Sequence, residues 1–145
     1  MTLKTRTVLA TTFLLTLAGT ALAGPADDAL AALKDGNARF VAGKSIHPHS
    51  GLDRVAETGA GQKPFVTVLG CSDSRLALER VFDQGIGDMF VVRVAGNVSD
   101  TDEIGSAEYG VGHLNTPLMV VLGHTKCGAV TAVATGAEVG GSIPA

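Results

Sequence analysis

Two apolar runs in this chain each end in a glycine followed by a soft metal ligand. Phe65-Val66-Thr67-Val68-Leu69-Gly70 leads into Cys71, and Leu118-Met119-Val120-Val121-Leu122-Gly123 leads into His124. Short, continuous apolar runs of this kind predict parallel strands buried on both faces. A third run, Met89 to Val94, lies between them, and helix-like segments separate all three. The chain therefore predicts an α/β fold, a parallel β-sheet flanked by helices. Open sheets of this type place their sites at the carboxyl ends of the strands, where Cys71 and His124 fall.

The intervening segments fill in this outline. Pro25 to Ala42 predicts an amphipathic helix, with Pro25 suited to a first turn, Asp27 and Asp28 near the amino end, and Leu30, Leu33, Ala38 and Val41 at near-helical spacing. Residues 43–63 read as a polar connection. Its two histidines, His47 and His49, fit a solvated loop better than a second metal site or proton relay, because no matching ligand pair lies nearby. Helices are expected near Leu76 to Phe82 and from Asp102 to Leu114, with His113 on the surface of the latter. Gly85 and Gly87 break the pattern before the second strand. A last helix-like segment runs from Cys127 to Gly136.

Residues 1–23 carry Lys4 and Arg6, an apolar stretch from Val8 to Leu17, and Ala21-Leu22-Ala23. That pattern predicts a secretory signal peptide cleaved after Ala23, which implies a periplasmic or secreted protein. The apolar stretch is short and broken by threonines, which disfavours a retained membrane anchor. Residues 24–145 then form one domain, with no stable membrane insertion after cleavage. Without Lys4 and Arg6 the chain keeps nine basic residues against fourteen acidic ones, a net charge of −5. An acidic domain offers no electrostatic footprint for nucleic acid.

In an exported chain two cysteines ordinarily suggest one disulfide. That reading leaves Asp73, Arg75 and His124 without a role. Cys71, His124 and Cys127 instead supply two thiolates and an imidazole, a set that Zn²⁺ favours when a fourth position stays open. Cys127 opens a helix, whose amino terminus favours a thiolate. Two thiolates neutralise the ion, so it acidifies water less than a three-histidine site would. Asp73 is the acceptor placed to assist the water, and Arg75 can hold its carboxylate in a bidentate pair.

Cys71-Ser72-Asp73-Ser74-Arg75 followed by His124-Thr125-Lys126-Cys127 resembles the β-class carbonic anhydrases. The resemblance runs from about Ala31 to Gly136 and includes Gly36-Asn37-Ala38-Arg39-Phe40, Val92-Arg93-Val94-Ala95-Gly96-Asn97 and Gly123 to Gly128. It implies zinc-dependent, reversible hydration of carbon dioxide to bicarbonate and a proton, by attack of zinc-bound hydroxide. It also implies one zinc per subunit, an Asp73–Arg75 catalytic dyad, and a homodimer or higher homo-oligomer. Gln62, Phe90, Tyr109 and Gly128 match substrate-pocket positions, and the equivalent of Gln62 reaches across from a second subunit. The first helix packs against that subunit in the family. Members continue beyond the length of this chain, so residues 24–145 are expected to hold the metal site and lack the C-terminal part of the domain.

In a closed form of the family the aspartate equivalent to Asp73 binds zinc itself. That form uses a bicarbonate pocket whose arginine is matched by Arg93, while Val68 stands where its tryptophan would fall. The resemblance thus implies the open form. Hydrolysis of carbonyl sulfide or carbon disulfide and a non-catalytic zinc or bicarbonate module are the rival readings. Asp73 and Arg75 argue against the module.

Overall fold

A computed structural model describes residues 24–141 and 143; the expected signal peptide, residues 1–23, lies outside the described residues. Three strands, β1 (Val66–Cys71), β2 (Met89–Val94) and β3 (Met119–Leu122), form one parallel sheet in the order β2-β1-β3. β1, at the centre, is buried along its whole length, as its apolar run predicts. The edge strand β3 departs from that expectation: Val120 and Leu122 are half-buried, while Met119 and Val121 are exposed on its other face. Val66 and Val68 pack on one face against Leu33 of α1 (Pro25–Val41) and Leu78 of α3 (Leu78–Val81), and these four form the core. The expected parallel sheet and its helices are present. Among the described residues no helix is long and apolar enough to cross a membrane.

The opposite face carries α4 (Thr101–Glu108), capped by Asp100, whose carboxylate accepts from the Thr101 amide at 2.6 Å. The helix expected as far as Leu114 changes character at Tyr109. Residues Tyr109–His113 form a π-helical turn, with the Leu114 amide bonded to the Tyr109 carbonyl at 2.9 Å. The cause is close packing on β1. A Cβ on Gly110 would lie 2.3 Å from the Thr67 hydroxyl, so only glycine fits. The widened turn aims the Gly110 carbonyl at the Thr116 hydroxyl (3.1 Å), which in turn meets Thr67 Oγ1 at 2.7 Å. Every buried polar atom in this chain of contacts finds a partner, as burial demands.

Residues 43–63, read as a polar connection, contain a short helix, α2 (Leu52–Thr58), none of whose residues is buried. With only Leu52 and Val55 as large apolar residues, it offers no periodic stripe to detect. The connection is tied down by two buried carboxylates that the sequence does not advertise. Asp83 accepts from Arg39 Nε at 2.6 Å and from the amides of Ile46 (3.1 Å) and His47 (2.9 Å). Asp88 meets His49 Nδ1 at 2.7 Å, Gly85 N at 2.9 Å and Arg54 Nη2 at 3.2 Å. His49, half-exposed, thus serves as an anchor of the loop.

Burial alone would raise the Asp83 pKa, but the Arg39 hydrogen bond and the two amides outweigh it and bring it down to about 2. A carboxylate held below its ordinary value near 4 stabilises the fold above that pH and loses its contribution as pH falls through about 2. Urea unfolding followed between pH 5 and 2 should therefore show stability falling across the lower half of that range. Asp83→Asn should flatten this part of the profile and lower stability at neutral pH. An unchanged slope in the variant would remove Asp83 from the account.

Candidate metal centre

The carboxyl end of β1 sits between the loops that follow β2 and β3, so three separate segments converge there. Cys71 ends β1, His124 follows β3, and Cys127 caps α5 (Gly128–Thr135), its carbonyl accepting from the Thr131 amide at 2.9 Å. The ligand atoms of Cys71, His124 and Cys127 all lie within 4.8 Å of one another. The two sulfurs are 3.8 Å apart, and both cysteines are buried and free of any disulfide. His124 Nε2 is buried without a hydrogen-bond partner among the described residues, while Nδ1 lies 3.1 Å from the Thr125 carbonyl. A buried, unpartnered imidazole nitrogen facing two thiols fits a soft divalent ion and is costly otherwise.

The surroundings tune these groups. The Cys71 sulfur accepts from the amides of Asp73 (3.4 Å) and Gly96 (3.3 Å). With His124 beside it as the largest cause, followed by those two amides, the Cys71 thiol falls to about 6. The reciprocal effect of Cys71 raises the pKa of His124. Lys126 takes a left-handed backbone conformation (φ 57°) between His124 and Cys127.

Asp73 and Arg75 form the bidentate pair that the spacing suggests. Arg75 Nε donates to Oδ1 at 2.8 Å and Nη2 to Oδ2 at 2.6 Å, with the Arg75 amide adding a third bond to Oδ1 at 3.0 Å. The Arg75 side chain holds the Asp73 carboxyl well below the usual carboxylate range. Asp73 Oδ2 stands 3.9 Å from His124 Nε2, beside the ligand cluster and outside it. Arg75 Nη2 also donates to the Lys126 carbonyl at 3.1 Å, joining the two ligand loops.

The remaining pocket positions behave differently. Gly128 opens α5 beside the cluster, where a Cβ would meet nothing within 4 Å. Phe90 and Tyr109 come together, ring centroids 5.8 Å apart, in an open cleft of about 480 Å³ with Thr101, Asp102, Gly105 and Ser106. His113, expected on a helix surface, stacks on Tyr109 at 4.7 Å. Phe90 pairs in register with Thr67, four positions before Cys71 and so about 13 Å back along the strand. Gln62 is exposed ahead of the amino end of β1. The structure therefore does not bring Gln62, Phe90 or Tyr109 to the ligand cluster of their own chain: Gln62 precedes β1, Phe90 lies near the amino end of β2 and Tyr109 packs against Phe90, whereas the cluster gathers at the carboxyl ends of the strands.

Gly96 is a contributor that motif reading passes over. Its positive φ of 79° turns its amide toward Cys71, and a Cβ there would sit 3.4 Å from the Ala129 methyl. Gly96→Ala should destabilise the chain by about 1–2 kcal/mol through left-handed strain, and weaken metal binding as the amide shifts. Parallel urea unfolding and chelator competition would check this, and wild-type values in both would contradict it.

A parallel α/β sheet with a Cys-His-Cys centre at its carboxyl edge, flanked by an Asp–Arg pair, defines a narrow class of metalloprotein. The carbonic anhydrase family matches residues 66–143. Carbonic anhydrase 2 of Mycobacterium tuberculosis is 59% identical over 101 residues, covering 70% of this chain and 49% of that protein. The carbonic anhydrase of Mycolicibacterium smegmatis is 56% identical over 109 residues, covering 75% of this chain and 53% of that protein. Among solved structures, one of two tetrameric β-carbonic anhydrases from Sordaria macrospora superposes with a TM-score of 0.58 at 29% identity, over 79% of this chain and 57% of that one. The β-carbonic anhydrase CafA of Aspergillus fumigatus gives 0.58 at 32% identity, over 79% and 54%. The chain belongs to the β-carbonic anhydrase family. It spans about half the length of the curated relatives it matches.

Proposed function

We propose that this chain carries the zinc centre of a carbonic anhydrase that reversibly hydrates carbon dioxide to bicarbonate. The observation that carries the reading is the convergence of Cys71, His124 and Cys127, with the orphaned His124 nitrogen, beside an ionised Asp73. Those three residues would hold one Zn²⁺, which when bound acidifies water enough for attack near neutral pH. The chain's own groups do the rest. Asp73, fixed by Arg75, accepts a hydrogen bond from the attacking water and orients it. Because Arg75 already occupies both carboxylate oxygens, the arrangement favours the open form, with Asp73 off the metal.

Phe90, Tyr109 and Gln62 stand away from their own chain's ligands, so a second copy is the source from which they would wall and address the substrate. That supports a homodimer or a higher homo-oligomer. Residues 1–23 have the charge and apolar pattern of a signal peptide, which supports export to the periplasm or beyond.

The test is zinc content measured alongside stopped-flow hydration of carbon dioxide by the chain. Bound zinc with rapid hydration is expected. Bound zinc without hydration would favour a binding module, and faster turnover of carbonyl sulfide or carbon disulfide would favour analogue hydrolysis.

A further inference from the structure

Arg93 lies near the carboxyl end of β2, in register with Gly70, on an exposed part of the sheet edge. Its guanidinium ignores every carboxylate among the described residues and reaches backbone instead. Nε donates to the Cys71 carbonyl at 3.0 Å and Nη2 to the Asp73 carbonyl at 2.9 Å. Those carbonyls belong to the residue that brings a sulfur to the cluster and to the residue that brings the acceptor carboxylate. We propose that Arg93 is a positioning residue, a two-pronged clamp that fixes the turn from Cys71 to Asp73 and so sets both the metal ligand and the acceptor. The proposal rests on the reading of Cys71, His124 and Cys127 as zinc ligands.

The geometry around the turn supports this role. The ladder between β1 and β2 ends at the bond from the Ser72 amide to the Val94 carbonyl, 3.1 Å. Beyond that rung, Asp73 is secured by its carbonyl, which accepts from both the Leu76 amide (2.9 Å) and Arg93. The Asp73 amide in turn points at the Cys71 sulfur. Any rotation of the turn would therefore move the sulfur's amide donor and the carboxylate together. Only a rigid planar fork spans two carbonyls set two residues apart; a lysine ammonium is a single point on a flexible stem. A residue exposed in this way contributes little packing, so its removal should spare the fold.

The experiment compares wild-type chain with Arg93→Lys, Arg93→Gln and Arg93→Ala. Zinc affinity is read by chelator competition, ligand geometry by the visible spectrum of the Co²⁺-loaded chain, and apo-chain stability by urea unfolding. Supporting partners of metal ligands characteristically account for ~10- to 100-fold in affinity or rate, and a loss in that range is expected for all three variants, with a shifted cobalt spectrum. The lysine variant should not rescue it, and the urea midpoint of the apo chain should stay near wild type. Wild-type affinity and spectrum in Arg93→Ala would overturn the proposal, as would a loss fully matched by a fall in apo stability. An effect confined to the response to added bicarbonate would also overturn it, assigning Arg93 to an anion pocket instead. Failure of the wild-type chain to bind zinc would instead sink the ligand assignment on which the clamp depends.

Discussion

Cys71→Ser is expected to strip the chain of zinc and abolish carbon dioxide hydration. Serine keeps nearly the same shape at the end of β1, and the strand's buried neighbours are untouched, so the sheet should form. What disappears is a sulfur that two amides and His124 have already drawn toward the thiolate form. An alcohol remains protonated and is a poor ligand for a borderline-soft ion. Losing a direct ligand should exceed the ~10- to 100-fold cost of losing a supporting partner. Chelator competition and elemental analysis read the affinity and stoichiometry, and circular dichroism reads the fold. A folded variant that retained zinc at wild-type affinity would show that the centre lies elsewhere.

Asp73→Asn is expected to leave zinc bound and lower the hydration rate by about 100-fold, the lower range for loss of a positioned proton acceptor. The carboxylate is outside the ligand cluster, so metal content should survive. An asparagine offers one acceptor oxygen where the carboxylate offers two, and its NH₂ group confronts Arg75. Because Arg75 holds Asp73 ionised far into the acid range, any fall in wild-type rate as pH drops toward 6 must come from another group. The sign matters: a depressed carboxyl pKa keeps the acceptor present at all higher pH values. Loss of zinc in Asp73→Asn, or an unchanged rate, would contradict the separation of roles.

The sheet and the convergence of Cys71, His124 and Cys127 were legible because they rest on local signals. Three apolar runs, each too short for a helix, mark the strands, although only β1 is buried throughout, and the glycines before Cys71 and His124 mark where they give way to the site. The Asp73–Arg75 pair follows from spacing alone. Features governed by distant partners were not legible. The π-helical turn at Tyr109 exists because Gly110 must meet Thr67 and Thr116, residues of other segments. Asp83 and Asp88 look like ordinary turn residues in a string of letters, yet each gathers donors from the chain some forty positions earlier, by the separations of 44 for Arg39 and 39 for His49. The helix α2 buries nothing and so leaves no pattern. The Gly96 amide and the Arg93 fork act through backbone groups, which motif reading does not see.

The two sulfurs that face each other across 3.8 Å are separated by 56 positions of sequence. On the proposed reading, an ion shared between them would fasten the ends of a long loop that contains β2, α4 and β3. In an unfolded chain, a covalent tie over a stretch of that length removes conformational freedom worth about 4 kcal/mol. A metal that binds only the folded arrangement acts as a comparable stitch, reversible and set by its free concentration. On the proposed reading, the coordination that would prepare a water for attack would also help hold the native sheet together, so scarcity of zinc would lower the protein's stability as well as silence its chemistry.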